Sequence, residues 1–128
     1  MKAICFNFEI HQPMRLKRYT FFDIGNDHYY YDDFLNEDII ERIAERSYIP
    51  AANTLLKMIE ESKGKFRCSI SISGVAIEQF EQYVPEFIDV LHRLADTGKC
   101  EFVAMPYANS LASLKDPEEF AKQVEVHA

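Results

Sequence analysis

Several features that would narrow the function at once are missing from this chain of 128 residues. Basic residues are in deficit: 14 Lys and Arg face 21 Asp and Glu, a net charge of −7. Neither counterion release on nucleic acid nor attraction to an anionic membrane surface is on offer. No apolar run approaches the ~20 residues that cross a bilayer. The opening Met1-Lys2-Ala3 has neither the apolar stretch nor the small-residue cleavage site of a signal peptide, so the cytoplasm is the expected location. Only four glycines occur and none are clustered, which excludes a phosphate-cradling loop. The string "SISISG" puts its serines on a strand and is no G-x-S-x-G elbow. Cys5, Cys68 and Cys100 are odd in number and widely spaced. They fit no zinc pattern and read as small buried hydrophobes in a reducing compartment. His11, His28 and His127 have aspartates nearby but lack H-x-x-x-H or H-x-H spacing, so no metal ligand and no cofactor is assigned.

What remains is an ordinary globular composition, 48% hydrophobic and 27% charged. The length suggests a single domain over residues 1–128, large enough to bury roughly two thirds of its unfolded surface. Residues 2–10, KAICFNFEI, alternate apolar and polar and predict a strand. Residues 11–34 have no period and are crowded with aromatics and aspartates; a connection this long is usually functional, and it also suits a lid packing its aromatics on the mouth of the fold. A helix is expected from an Asn36 cap to about Ser47, and a second from Pro50 to the Lys63-Gly64-Lys65 stop. Residues 66–73, FRCSISIS, predict a second strand, and 75–98 a helix with an internal Pro85. Residues 100–105, CEFVAM, predict a third strand. Asp116-Pro117-Glu118-Glu119 is a strong helix start. The order predicts an α/β fold of three consecutive βα units, with parallel strands joined by right-handed crossovers.

In parallel α/β folds ligands meet the carboxyl ends of the strands. Three places qualify: His11, Gln12 and Pro13; Ser71, Ser73 and Gly74; Met105, Pro106, Tyr107 and Asn109. Glu9 lies one alternation before His11 and can reach the same rim, whereas Glu101 sits at the opposite end of its strand. Asp23, Asp27, Asp32 and Asp33 fall in the long loop, where solvation is their expected state. Acid–base hydrolysis of a glycosidic bond needs a pair of carboxyl groups about 5–5.5 Å apart for the retaining route, and no such pair can be named, so no catalytic residue is assigned.

The strand running into "HQP", the loop "RLKRYTFFDIGNDHYYYDDFLNEDI", the segment "KFRCSISISGVAIEQFEQYVPE" and "CEFVAMPYANSLASLKDPEEFAKQVEVH" together resemble the amino-terminal part of glycoside hydrolase family 57, its α-amylase-like members in particular. The resemblance implies a (β/α)7 barrel of which this chain is the first part, and retaining cleavage of α-glucans. It also implies a glutamate nucleophile after the fourth strand and an aspartate acid–base beyond it, both past Ala128. His11 matches a histidine that contacts the sugar. Met105, Pro106 and Asn109 depart from the family-like pattern, in which glutamate, threonine and histidine are expected.

The expectation is a truncated α-amylase-like segment, inactive alone, with His11, Gln12, Glu9, Tyr107 and Asn109 as substrate-binding residues for an α-glucan or maltooligosaccharide. Two alternatives stand beside it: a non-catalytic, self-assembling or weakly carbohydrate-binding module, and a metal-dependent deacetylase-like hydrolase. Three strands cannot close a barrel, so a homo-oligomer is expected. It would cover an inner face drawn from Cys5, Phe6, Phe8, Phe66, Cys68, Ile70, Ile72, Phe102 and Ala104.

Overall fold

The computed structural model describes residues 4–128. One sheet holds three parallel strands in the order β1 (Asn7–Ile10), β2 (Cys68–Ile72) and β3 (Cys100–Phe102). Each crossover is helical. Helices α1 (Asp33–Ile43) and α2 (Ile49–Glu61) join β1 to β2, α3 (Gly74–Tyr83) and α4 (Pro85–Asp96) join β2 to β3, and α5 (Pro117–His127) follows β3.

The strands are shorter than the alternation predicts. Residues 2 and 3 of the first expected strand lie outside the described residues, and Ile4 to Phe6 are not in the strand. Among the described residues β1 has one neighbour, and its ladder with β2 begins at Asn7↔Ser69. β3 ends at Phe102. Val103 N–H donates to Ile70 O at 2.9 Å, so the following amide of the ladder would meet Ile72 O. The His127 imidazole Nε2 occupies that carbonyl at 2.5 Å.

The helix starts also shift. The first cap is Asp32, whose side chain accepts from Leu35 N–H at 3.0 Å. Asn36 lies inside α1, buried, where its amide accepts from Arg15 N–H at 2.8 Å and donates to Arg15 O at 3.2 Å. A side chain engaged with a distant backbone is unavailable as a cap. Pro50 does not separate two helices. Residues 44–48 form a π-turn in which Ile49 N–H donates to Ala44 O, five residues back, and α2 continues from it. The widened turn shifts the bonding register at the point where proline has no N–H to give. Pro85 does break the helix predicted over 75–98. Val84 before it leaves the helical region at φ −139°, ψ 59°, the restriction expected ahead of proline, and α4 begins at Pro85. Asp116 caps α5 as predicted, accepting from Glu119 N–H at 3.1 Å.

The registers Phe8↔Ile70, Ile10↔Ile72 and Ile70↔Phe102 put these apolar residues on the helix-covered side. There Ile10, Ile70 and Ile72 join Ile40, Leu55, Leu56, Phe80, Phe87 and Leu94 in the core. Phe80 and Phe87 are fully buried with ring centroids 4.6 Å apart, and Tyr48 lies against both at 5.5 and 5.8 Å. The inner face expected from the sequence is therefore reversed. Phe6, Phe8, Phe66, Cys68, Ile70, Ile72 and Phe102 do not point away from the helices; Asn7, Glu9, Ser69, Ser71 and Glu101 do. Strict alternation in "FRCSISIS" leaves the assignment of faces open, and the side on which the helices pack decides it. Cys68 and Cys100 are buried as expected, whereas Cys5 is exposed.

Candidate functional site at the strand ends

The backbone turns at the carboxyl end of each strand gather the polar side chains. Ser73, fully buried, caps α3 by accepting from Ala76 N–H at 3.3 Å, and its own N–H donates to Ile10 O at 3.1 Å. The His11 Nδ1 lies 2.7 Å from Ser73 Oγ. Since that oxygen already accepts from Ala76, its proton is free to go to Nδ1. The neutral ring then carries its hydrogen on Nε2, which has no hydrogen-bond partner among the described residues. Burial holds the His11 imidazole below the usual histidine range, with Glu9 pulling the other way, so this neutral form is the favoured one.

The segment after β3 crosses the polar face of the sheet. Asn109 Nδ2 donates to Glu9 Oε1 at 3.2 Å, which carries the chain from β3 over β2 to β1. Ser71, Ser73 and Met105 are buried. Asn109 has φ +51°, a left-handed conformation that asparagine tolerates better than most residues, and its N–H donates to Pro106 O at 2.8 Å. Tyr107 sits in the same segment. Its hydroxyl donates to the Glu78 carboxylate, its N–H to Gln123 O at 3.2 Å, and its carbonyl accepts from Val75 N–H at 3.2 Å. The bond to Glu78 pushes the Tyr107 phenol up to about 12.

Gln12 is placed differently from His11. Its Nε2 donates to the Tyr48 hydroxyl at 3.0 Å, its Oε1 accepts from Arg15 at 3.1 Å, and its carbonyl accepts from the buried Gln79 at 2.7 Å. It ties the strand end to the π-turn before α2 and to α3. His11, Glu9, Asn109 and Ser73 thus form one polar patch, Tyr107 flanks it on the α3 side, and Gln12 anchors it. Ser73 was among the strand-end candidates, whereas Glu78 and Gln79 were not singled out by spacing. The signal for Ser73 was its place immediately before a helical run, the position of an N-cap.

The long loop does not pack its aromatics on the mouth of the fold. It is an arm closed by a Leu16↔Tyr31 bridge and by Lys17 N–H donating to Tyr30 O at 2.9 Å. A Lys17–Asp27 ion pair and a Thr20–Asp23 capping box order its interior. Phe21 and Phe22, 80% and 83% exposed, stand at its tip.

Other chemistry finds little support. Among the described residues no three His, Cys, Asp or Glu side chains come together as a metal site. His127 lies at the end of β2 and lines an apolar cavity of about 600 Å³ with Ile72, Ile77, Leu91 and Phe102, on the helix side of the sheet. Among the described residues no helix is long and apolar enough to cross a membrane.

The family model for glycosyl hydrolase family 57 matches residues 5–128. A Methanocaldococcus jannaschii protein provisionally named alpha-amylase is 36% identical over 127 residues, covering 97% of this chain and 27% of that protein. An alpha-amylase of Pyrococcus horikoshii is 30% identical over 90 residues, covering 70% of this chain and 13% of its own length. The crystal structure of a 4-alpha-glucanotransferase from Thermococcus litoralis superposes with a TM-score of 0.65 at 22% identity, over 95% of this chain and 15% of that one. That likeness is one of fold. The chain spans about a quarter, or less, of the length of the relatives it matches.

Proposed function

Because the chain belongs to glycoside hydrolase family 57, we propose that it forms the sugar-facing amino-terminal part of an α-glucan site, binding without catalysing by itself. The observation that carries this reading is the patch in which Asn109 reaches Glu9 across β2 while His11 Nδ1 lies 2.7 Å from Ser73 Oγ. Hydroxyl groups of a sugar are both donors and acceptors. The patch offers them the Nε2–H of His11, the carboxylate of Glu9 and the amide of Asn109, and Tyr107 presents a ring beside them. Gln12 supports the patch from behind. Hydrolysis would need a second carboxyl group facing Glu9 at the retaining distance, and none is assigned here.

One aromatic and a few polar contacts give an affinity near the millimolar range, about −4 kcal/mol. Maltooligosaccharide titrated into the labelled protein should shift the resonances of His11, Asn109 and Tyr107, and His11→Ala and Asn109→Ala should abolish the shifts. Shifts unchanged in both variants would remove the patch from the account. Reducing-sugar release from starch should not exceed that of His11→Ala.

A second reading concerns assembly, and a specific observation favours it. β1 and β3 each have an unpaired edge, and Phe6 and Phe8 stack at 6.4 Å beside the β1 edge while remaining half exposed. Unpaired edges flanked by aromatic surface invite a second strand, and we infer a homo-oligomer paired through β1, working in the cytoplasm. Sedimentation at micromolar concentration should report a dimer or larger; a monomer near 14.9 kDa would exclude it.

A further inference from the structure

Cys68 and Cys100 begin β2 and β3 and are direct partners in the parallel register. Their sulfurs are 3.8 Å apart, and both side chains are buried in the helix-covered layer, distant from the polar patch in function and on the other side of the sheet. Adjacent strands run about 4.7–4.9 Å apart. That separation falls within the Cα range of disulfides, about 4.4–6.8 Å, so the bridge needs side-chain rotation and little backbone movement. The cysteines are 32 positions apart, with the whole α3–α4 crossover between them. A bond here would close that loop at its base.

We propose that Cys68 and Cys100 are a redox modification site, forming a reversible intrachain disulfide that staples β2 to β3. With a diazene oxidant the step balances as follows. One cysteine gives up its proton, and its sulfur adds to a nitrogen of the N=N bond. The second cysteine, deprotonated in turn, attacks that first sulfur. The S–S bond forms, the S–N bond breaks, and the hydrazine departs with both electrons and both protons. Burial pushes the Cys100 thiol up to about 12, with the neighbouring Cys68 adding to the effect, so the fraction of thiolate is small at neutral pH. The Cys100 thiol therefore resists casual oxidation and reacts faster as the pH rises.

The test uses Cys5→Ser, which removes the one exposed thiol from a position outside the core. Folded Cys5→Ser is treated with diamide from neutral pH to about pH 9. The expected result is a single chain, not cross-linked to another, lighter by two hydrogen atoms and formed faster at higher pH. It should have no thiol open to alkylation in denaturant, where the untreated protein has two. Dithiothreitol should restore both. Adding Cys68→Ser or Cys100→Ser should leave one thiol and no loss of mass. The oxidised form should unfold several degrees higher, because the closed loop restricts the unfolded chain. Two alkylatable thiols remaining at the highest pH, just below the unfolding temperature, would overturn the proposal. So would a bridge that forms only after denaturation, or one that joins two chains.

Discussion

The ring of Tyr107 occupies the space where a side chain on Gly74 would begin: an added Cβ would lie 2.1 Å from the Tyr107 Cδ2 and Cε2 atoms. Gly74 is the first residue of α3, and its φ is not in the left-handed region, so its backbone conformation alone does not call for glycine. The requirement is the close approach of an aromatic ring from the segment after β3. That approach also lets the Tyr107 carbonyl accept from Val75 N–H, filling one of the unpaired donors of the α3 start.

Gly74→Ala should therefore displace the ring and break its bond to Glu78. The expected cost is about 1–3 kcal/mol, the range for overpacking a filled site. Tyr107→Ala should relieve the overlap, so the double variant should cost less than the two single costs added together. Denaturant unfolding of the four proteins measures this, and simple additivity would mean that the ring is not what excludes a side chain.

Ser73→Ala removes a helix cap and the hydroxyl partner of His11 together, at a position with no solvent access. A loss of about 1–2 kcal/mol is expected. The His11 tautomer should change as well, visible in the nitrogen chemical shifts of the ring. Ser73→Thr keeps the hydroxyl and should keep the tautomer. If Ser73→Ala leaves the ring nitrogens unmoved, the serine does not set the proton position.

The Tyr107 phenol should ionise near pH 12, because the Glu78 carboxylate accepts its hydrogen bond and repels a phenolate. The folded value is above the unfolded value of about 10, so the stabilisation is fully present below pH ~10 and is lost as pH rises toward 12. Glu78→Gln should bring the transition down. The Tyr29 phenol, bonded to Asp33, is also pushed up to about 12. Ultraviolet titration of the tyrosines counts the late groups: Tyr107→Phe should remove one of them, and an unchanged number in that variant would contradict the assignment.

At acid pH the sign is opposite. The folded His11 value lies below the unfolded one of about 6.5, so the unfolded chain binds the additional proton first. Stability should fall as pH drops through 6.5, levelling once the pH is below the folded value. His11→Gln should flatten this part of the pH profile. An unchanged slope in His11→Gln would show that other groups carry it.

How much of this was legible beforehand differs from element to element. The run of βα units, the parallel strands, the Asp116 cap and the glycine stop at Gly64 follow from periodicity and local chemistry, because each depends on neighbours in sequence. His11, Glu9, Tyr107 and Asn109 could be placed near strand ends by the same means, and the family resemblance followed from strings spread along the chain. What depends on distant partners was not available from the residues alone. The faces of the sheet were decided by where α2 and α4 pack, and the Ile72 carbonyl at the end of β2 met the imidazole of His127, 55 positions further on. Asn36 was drawn from capping into a bond with Arg15, the π-turn absorbed Pro50, and Cys68 met Cys100 through strand register. Sequence patterns carry the propensity of a segment. Register, facing and partner choice are set only when separate segments compete for the same hydrogen bonds and the same volume.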